Sequence, residues 1–318
     1  MFDDMIKNLL GKTHKMLGVM LILPLLFMAL TGMALVLFEV KNGWKMRQVD
    51  DVEKLASLFK KGYPEDVLER ISFAGNVKIR AKKNGERMNY ILDEASNFVE
   101  NNSALRKLAI DIHDFRFVQN GRQIVGLIGI FGVLLCLFGF GLYFYQKNLS
   151  GKLALKPRNS ASFYRNFHAI IAFRFGFLIV FIMFAGVIIA FPALLPVKKG
   201  EMEKLEGSFA SLNEKTAFAL KSVDKSALYE VSFKGASTVV SVRKKGDVLP
   251  YVFYFNEGGV MLDNPQNYGA FTKFVLSLPI IHKSKIGLWW AIMQILAGFL
   301  LVFMGLAGVF LWWKKKIA

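Results

Sequence analysis

Four long apolar stretches constrain this chain more than any other feature. They cover residues 17–38, 124–145, 170–191 and 288–313, and Arg174 is the one charge within them. Each reaches the roughly 20 apolar residues that a helix needs to cross the hydrocarbon core. A chain of 318 residues that is 54% hydrophobic has the composition to match. The expected class is an α-helical integral membrane protein with four transmembrane helices, its first solvent being the lipid bilayer.

Lys and Arg near the span ends set the orientation. The segment 1–16 carries Lys7, Lys12 and Lys15, and the tail 314–318 carries Lys314, Lys315 and Lys316. The link 146–169 carries Lys147, Lys152, Lys156, Arg158 and Arg165 with no acid. This bias puts both termini and that link in the cytoplasm and the long connections 39–123 and 192–287 outside. Much of the net charge of +17 is then topological, and no nucleic-acid partner is expected. The first apolar run exceeds the 7–15 residues of a signal-peptide core, so it reads as a retained span. The single cysteine, Cys136, falls inside the second span and reads as a packing residue.

The order span, soluble module, histidine, span occurs twice. In the first module Asp50 and Glu53 resemble a helix start, followed by Val52, Leu55, Ala56 and Phe59 at helical spacing. Alternation then marks strands around residues 67–73, at Val77, Ile79 and Ala81, and at Met88, Tyr90 and Leu92, with Asn84-Gly85 as a hairpin turn. The second module reads as a helix over 201–221, then strands near 228–233, 238–243 and 248–255. Ile71-Ser72-Phe73-Ala74-Gly75 matches Val231-Ser232-Phe233-Lys234-Gly235. Two small α+β modules are therefore expected, each a helix on its own antiparallel sheet. Each half crosses the membrane twice, so the repeats run parallel, related by an axis along the membrane normal.

The four histidines occupy equivalent points of this repeat. His14 and His168 precede the first and third spans, and His113 and His282 precede the second and fourth. Depth allows His14 with His168 and His113 with His282, but no pair across the membrane. Two neutral imidazoles on opposite faces of a haem iron form an electron-transfer centre. Zinc is disfavoured because no cysteine accompanies each histidine, although Asp111 and Asp114 flank His113. No C-x-x-C-H is present for covalent haem attachment.

Gly32 follows His14 by 18 residues, and Gly186 follows His168 by 18. That is five helical turns, about 27 Å, so each glycine shares its histidine's face. Two roles fit: room for a macrocycle against the backbone, or close helix packing. Arg174 has two as well, pairing with a haem propionate or snorkelling to the interface. Lys15, Arg116, Arg122, Arg165 and Lys283 are weaker candidates for the same pairing. No G-x-G-x-x-G or P-loop occurs, so an electron donor must be separate, either a membrane quinol or a cytoplasmic reductase.

These features together resemble the PepSY-associated transmembrane family. The residues that carry the resemblance are His14 with the span ending in Ala29-Leu30-Thr31-Gly32, and His168 with the span through Gly186. With them go His113 before Gly126 and Gly139-Phe140-Gly141-Leu142, and His282 before the run from Gly305 to Trp313. The resemblance implies PepSY-like extracytoplasmic modules, one or two haem b groups ligated by the four histidines, and residence in a bacterial inner membrane. It further implies reduction of a periplasmic ferric chelate such as a ferric siderophore. It also brings a rival: a non-enzymatic module, anchored by the spans, that binds or regulates a periplasmic partner such as a peptidase. A transporter is disfavoured because no broken-helix pattern appears beyond Pro24.

Overall fold

The computed structural model describes residues 2–42, 51–93, 97–100, 104–150, 160–198, 200–283 and 285–317. The first half runs α1 (Phe2–Asn42), α2 (Val52–Gly62), β1 (Val67–Ser72), β2 (Lys78–Lys83), β3 (Glu86–Leu92), β4 (Phe98–Glu100), α3 (Ala104–His113) and α4 (Gly121–Ser150). The second half runs α5 (Ser160–Ala190), β5 (Glu203–Leu205), α6 (Leu212–Ser222), β6 (Ser226–Lys234), β7 (Ser237–Lys244), β8 (Tyr251–Asn256), β9 (Gly259–Asp263), α7 (Ala270–His282) and α8 (Leu288–Ile317). The elements form two compact units. One is helical and comprises Met1–Phe38, Leu105–Leu195 and Ile281–Ala318; the other comprises Glu39–Ala104 and Pro196–Ile280.

In the helical unit, Met5–Lys41, Gly121–Phe144, Phe163–Ala190 and Leu288–Trp313 are long and apolar enough to cross a membrane. Their outward side chains, among them Leu23, Phe177 and Phe299, are exposed apolar groups that suit lipid as solvent. Glycines set the helices close together. A Cβ at Gly129 would lie 2.7 Å from Val187 Cγ2, joining α4 to α5, and one at Gly298 would lie 2.5 Å from Met33 Cγ, joining α8 to α1. The helices overrun the expected spans. α1 begins at Phe2 and α5 at Ser160, so His14 and His168 lie within continuous helices rather than before them. Hydropathy bounds the lipid-facing part of a helix, whereas a Lys in the next turn does nothing to stop it.

The second unit corrects the expectation of two separate modules. Its nine strands form one sheet in the order β4-β3-β2-β1-β6-β7-β8-β9-β5. The halves join where β1 pairs antiparallel with β6, Ile71 opposite Val231. Helices α2 and α6 cover one face, enclosing Phe59, Phe73, Ile79, Val240 and Phe253 in a shared core. Fully burying such side chains contributes about 1.5–3 kcal/mol each. Asn84 and Gly85 both take positive φ (51° and 84°), the two-residue turn that their sequence predicts.

Three local details also differ. The N-cap of α2 is Asp51, whose carboxylate accepts from Lys54 N at 2.8 Å; Asp50 lies outside the described residues, as do Lys152, Lys156 and Arg158 of the basic link. Asn213 on α6 bridges to the same cap, donating to Asp51 Oδ1 and accepting from Glu53 N. Residues 201–221 are not one helix: β5 pairs with β9, and α6 starts only at a capping box between Ser211 and Glu214. Strands β4, β5 and β9 complete the sheet beyond those the alternation marks.

Candidate functional site: two histidine layers

His113 and His282 are the last residues of α3 and α7. Beyond His113 the chain turns through Phe115 at φ 51° and enters α4 at Gly121, where a Cβ would lie 1.8 Å from Phe115 O. Only glycine fits there. The end of α7 is held differently. Gln294 Nε2 donates to Ile281 O and His282 O at 3.3 and 2.9 Å, and Trp290 Nε1 donates to Ile281 O at 2.7 Å. Side chains of α8 thus satisfy carbonyls that a helix end leaves open.

The imidazoles meet in two layers. His14 and His168 have ring centroids 6.3 Å apart with planes at 83°, and His113 and His282 are 6.5 Å apart at 41°. A linear bis-imidazole iron, with nitrogens about 2 Å from the metal and each centroid about 1 Å behind its nitrogen, separates the centroids by roughly 6 Å.

Hydrogen bonds at Nδ1 fix the tautomers. His14 Nδ1 lies 3.0 Å from Leu135 O, and His282 Nδ1 lies 3.2 Å from Ile182 O. A carbonyl only accepts, so each Nδ1 carries the proton and each Nε2 keeps a free lone pair. His113 Nδ1 lies 3.1 Å from Thr31 Oγ1. The Thr31 hydroxyl donates to Phe27 O at 2.6 Å, which leaves its oxygen to accept from the imidazole. Three of the four rings are therefore set as metal-ligating imidazoles are, with Nδ1–H donated away from the metal. His168 differs: its Nδ1 is buried and makes no well-formed hydrogen bond, although the Met304 carbonyl is its neighbour.

Glycine explains how the rings reach these carbonyls. In a helix the carbonyl of residue i bonds the N–H of residue i+4. Met28, Leu135, Ile182 and Met304 stand four residues before Gly32, Gly139, Gly186 and Gly308. A Cβ would meet His113 Cε1 at 3.3 Å from Gly32, His14 Cε1 at 3.1 Å from Gly139, and His282 Cε1 at 3.3 Å from Gly186. At Gly308 it would meet nothing within 4 Å, so the His168 ring does not crowd that glycine as the other three rings crowd theirs. The space beside Gly32 and Gly186, expected to admit a macrocycle or a helix, is filled by an imidazole.

Burial holds His113 below the usual imidazole range. Burial first, and then the neighbouring His113, take His282 down to about 4. Both rings are thus neutral at neutral pH, the form that binds a metal.

The family model of the PepSY-associated TM region matches residues 14–315 of this sequence. The chain belongs to that family. No curated protein matches it. In this PepSY-associated TM protein the match begins at His14 itself and runs through all four spans.

Apart from Lys283, whose charge bears on the adjacent His282, the remaining candidates fall away from the pairs. Arg174 is exposed on α5, and its place six residues after His168 turns it about 240° round the helix. Arg116 pairs with Asp114 at 2.9 Å. Lys15, Arg122 and Arg165 are exposed, and Lys283 follows His282 directly. The sequence reading missed Thr31, Gln294 and Trp290 as supports of the histidines and Gly139 and Gly308 as steric partners. The available signal was a glycine at repeat-equivalent positions in each pair of spans, Gly32 with Gly186 and Gly139 with Gly308.

Proposed function

We propose that this family member is a transmembrane haem b oxidoreductase that carries electrons across the bilayer to a ferric chelate on the outer side. One observation carries the reading: two repeat-related imidazole pairs, each spaced for a shared iron, with Nδ1 tied back at three of the four rings. His14 with His168 would hold one haem and His113 with His282 a second; each haem supplies a one-electron ferric–ferrous couple. The chain's own residues do the rest. The carbonyls of Leu135 and Ile182 and the Thr31 hydroxyl orient the rings. Leu17, Leu21, Leu25 and Ile128 form an apolar cluster whose α1 members lie between the levels of His14 and Gly32, excluding water there. The electron balance needs a separate donor, a quinol or a cytoplasmic reductase, and leaves ferrous iron as product.

The rival reading, an anchored module that binds a partner such as a peptidase, draws on the size of the sheet unit but gives the paired imidazoles no task. Spectroscopy separates the two. Purified protein, expressed with ample haem, should give a b-type spectrum that sharpens with dithionite and should release haem to acid acetone. Colourless protein would end the oxidoreductase reading.

The same reading places the His14 layer on the cytoplasmic side of an inner membrane. Reporter fusions after residue 155 and at the C-terminus should report cytoplasm, and fusions near residues 90 and 250 should report the outside. A reversal of either pair would rule this orientation out.

A further inference from the structure

The two halves differ beside the outer pair of histidines. His282 donates Nδ1–H to Ile182 O, and the repeat-equivalent carbonyl beside His113 is Met28 O, 154 residues earlier. The same offset takes Ala185 to Thr31. The first half therefore has a hydroxyl where the second has a methyl group. We propose that Thr31 is a positioning residue for His113, locking its Nδ1–H tautomer and ring orientation so that Nε2 faces His282.

The hydroxyl's single proton decides the direction of the bond. Thr31 Oγ1 lies 2.6 Å from Phe27 O and 3.3 Å from Met28 O, and both carbonyls only accept. Its proton goes back along α1, and its lone pair meets His113 Nδ1 at 3.1 Å. Back-bonding of threonine to the i−4 carbonyl is ordinary in helices; an imidazole seated on the same oxygen is not. Gly32, next in sequence, leaves the room for that ring. Without the hydroxyl, His113 has Met28 O alone, as His282 has Ile182 O. An acceptor at Nδ1 strengthens the imidazole as a donor to iron and favours the ferric state.

The potentiometric arm of the test rests on the haem reading, and the second arm does not. With the full chain in lipid nanodiscs, Thr31→Ala should shift one of two haem midpoints in the positive direction and leave the other in place, and Thr31→Ser should restore it. Nitrogen-15 NMR of histidine-labelled protein without haem should show His113 protonated at Nδ1, with a resonance that moves in Thr31→Ala and returns in Thr31→Ser. Movement of both midpoints together, a serine variant that behaves like alanine, or an unchanged His113 resonance would overturn the assignment. If the wild-type protein takes up no haem, the function proposed above fails, and the NMR arm still decides the role of Thr31.

Discussion

Replacing His14 with alanine is expected to remove the same haem as replacing His168, and the double replacement should cost little more. A bis-imidazole iron needs both axial ligands to stay low-spin and tightly held, so the two act as a unit and their losses do not add. On the proposed haem reading, the 6.3 Å separation of these rings suits them to act as such a unit. His113 and His282, at 6.5 Å, should form the other. Changes in different layers should add, each stripping its own haem. Haem-to-protein ratios for four single variants, two same-layer doubles and one cross-layer double check this. If His14→Ala and His113→Ala emptied the same site while His168→Ala left it filled, the layers would be misassigned.

Four alanine substitutions should divide three against one. At Gly139, Gly32 and Gly186 a methyl group would press on the imidazole at 3.1–3.3 Å and loosen its bond at Nδ1. Loss of such an outer partner typically weakens metal affinity about 10–100-fold. Gly308→Ala meets open space and should change haem affinity by less than about twofold, since no bond at Nδ1 is there to lose. Rates of haem loss to an excess of an apo-globin acceptor measure all four. Equal effects at Gly139 and Gly308 would show that the contact with the imidazole does not govern haem affinity.

The spans and the order of the histidines were legible because hydropathy and repeat position are local properties of the chain. Where the helices begin was not. Nothing in Asp3-Asp4-Met5-Ile6-Lys7 breaks a helix, so α1 runs on past the apolar boundary. The joining of two expected sheets into one was hidden because β1 and β6 are 160 residues apart at their pairing, and a strand edge does not name its partner. The matched Ile71-Ser72-Phe73 and Val231-Ser232-Phe233 contain that pairing, but only the fold shows that the repeats touch each other. Strand β5, three residues long, carries too little alternation to be told from the helix that follows. In the site, the histidines were visible as residue types, while the acceptors of His14 and His282 are backbone carbonyls with no letter in the sequence.

The seam between β1 and β6 also makes the two halves unequal partners. The equivalent residues Ile71 and Val231 face one another across it, and diagonally beside them Arg70 Nη1 lies 3.1 Å from Glu230 Oε2. Arginine 70 and glutamate 230 hold the same place in their halves, so two copies of the first half joined this way would set guanidinium against guanidinium. Two copies of the second would set carboxylate against carboxylate. The pair is partly exposed, at 40% and 21% for the two side chains, and its attraction is worth about a kcal/mol or less. Its force lies in the comparison: only the mixed seam neutralises both charges. Halves that differ at this position are not a pair of interchangeable copies, and each is fitted to the other rather than to anything identical to itself.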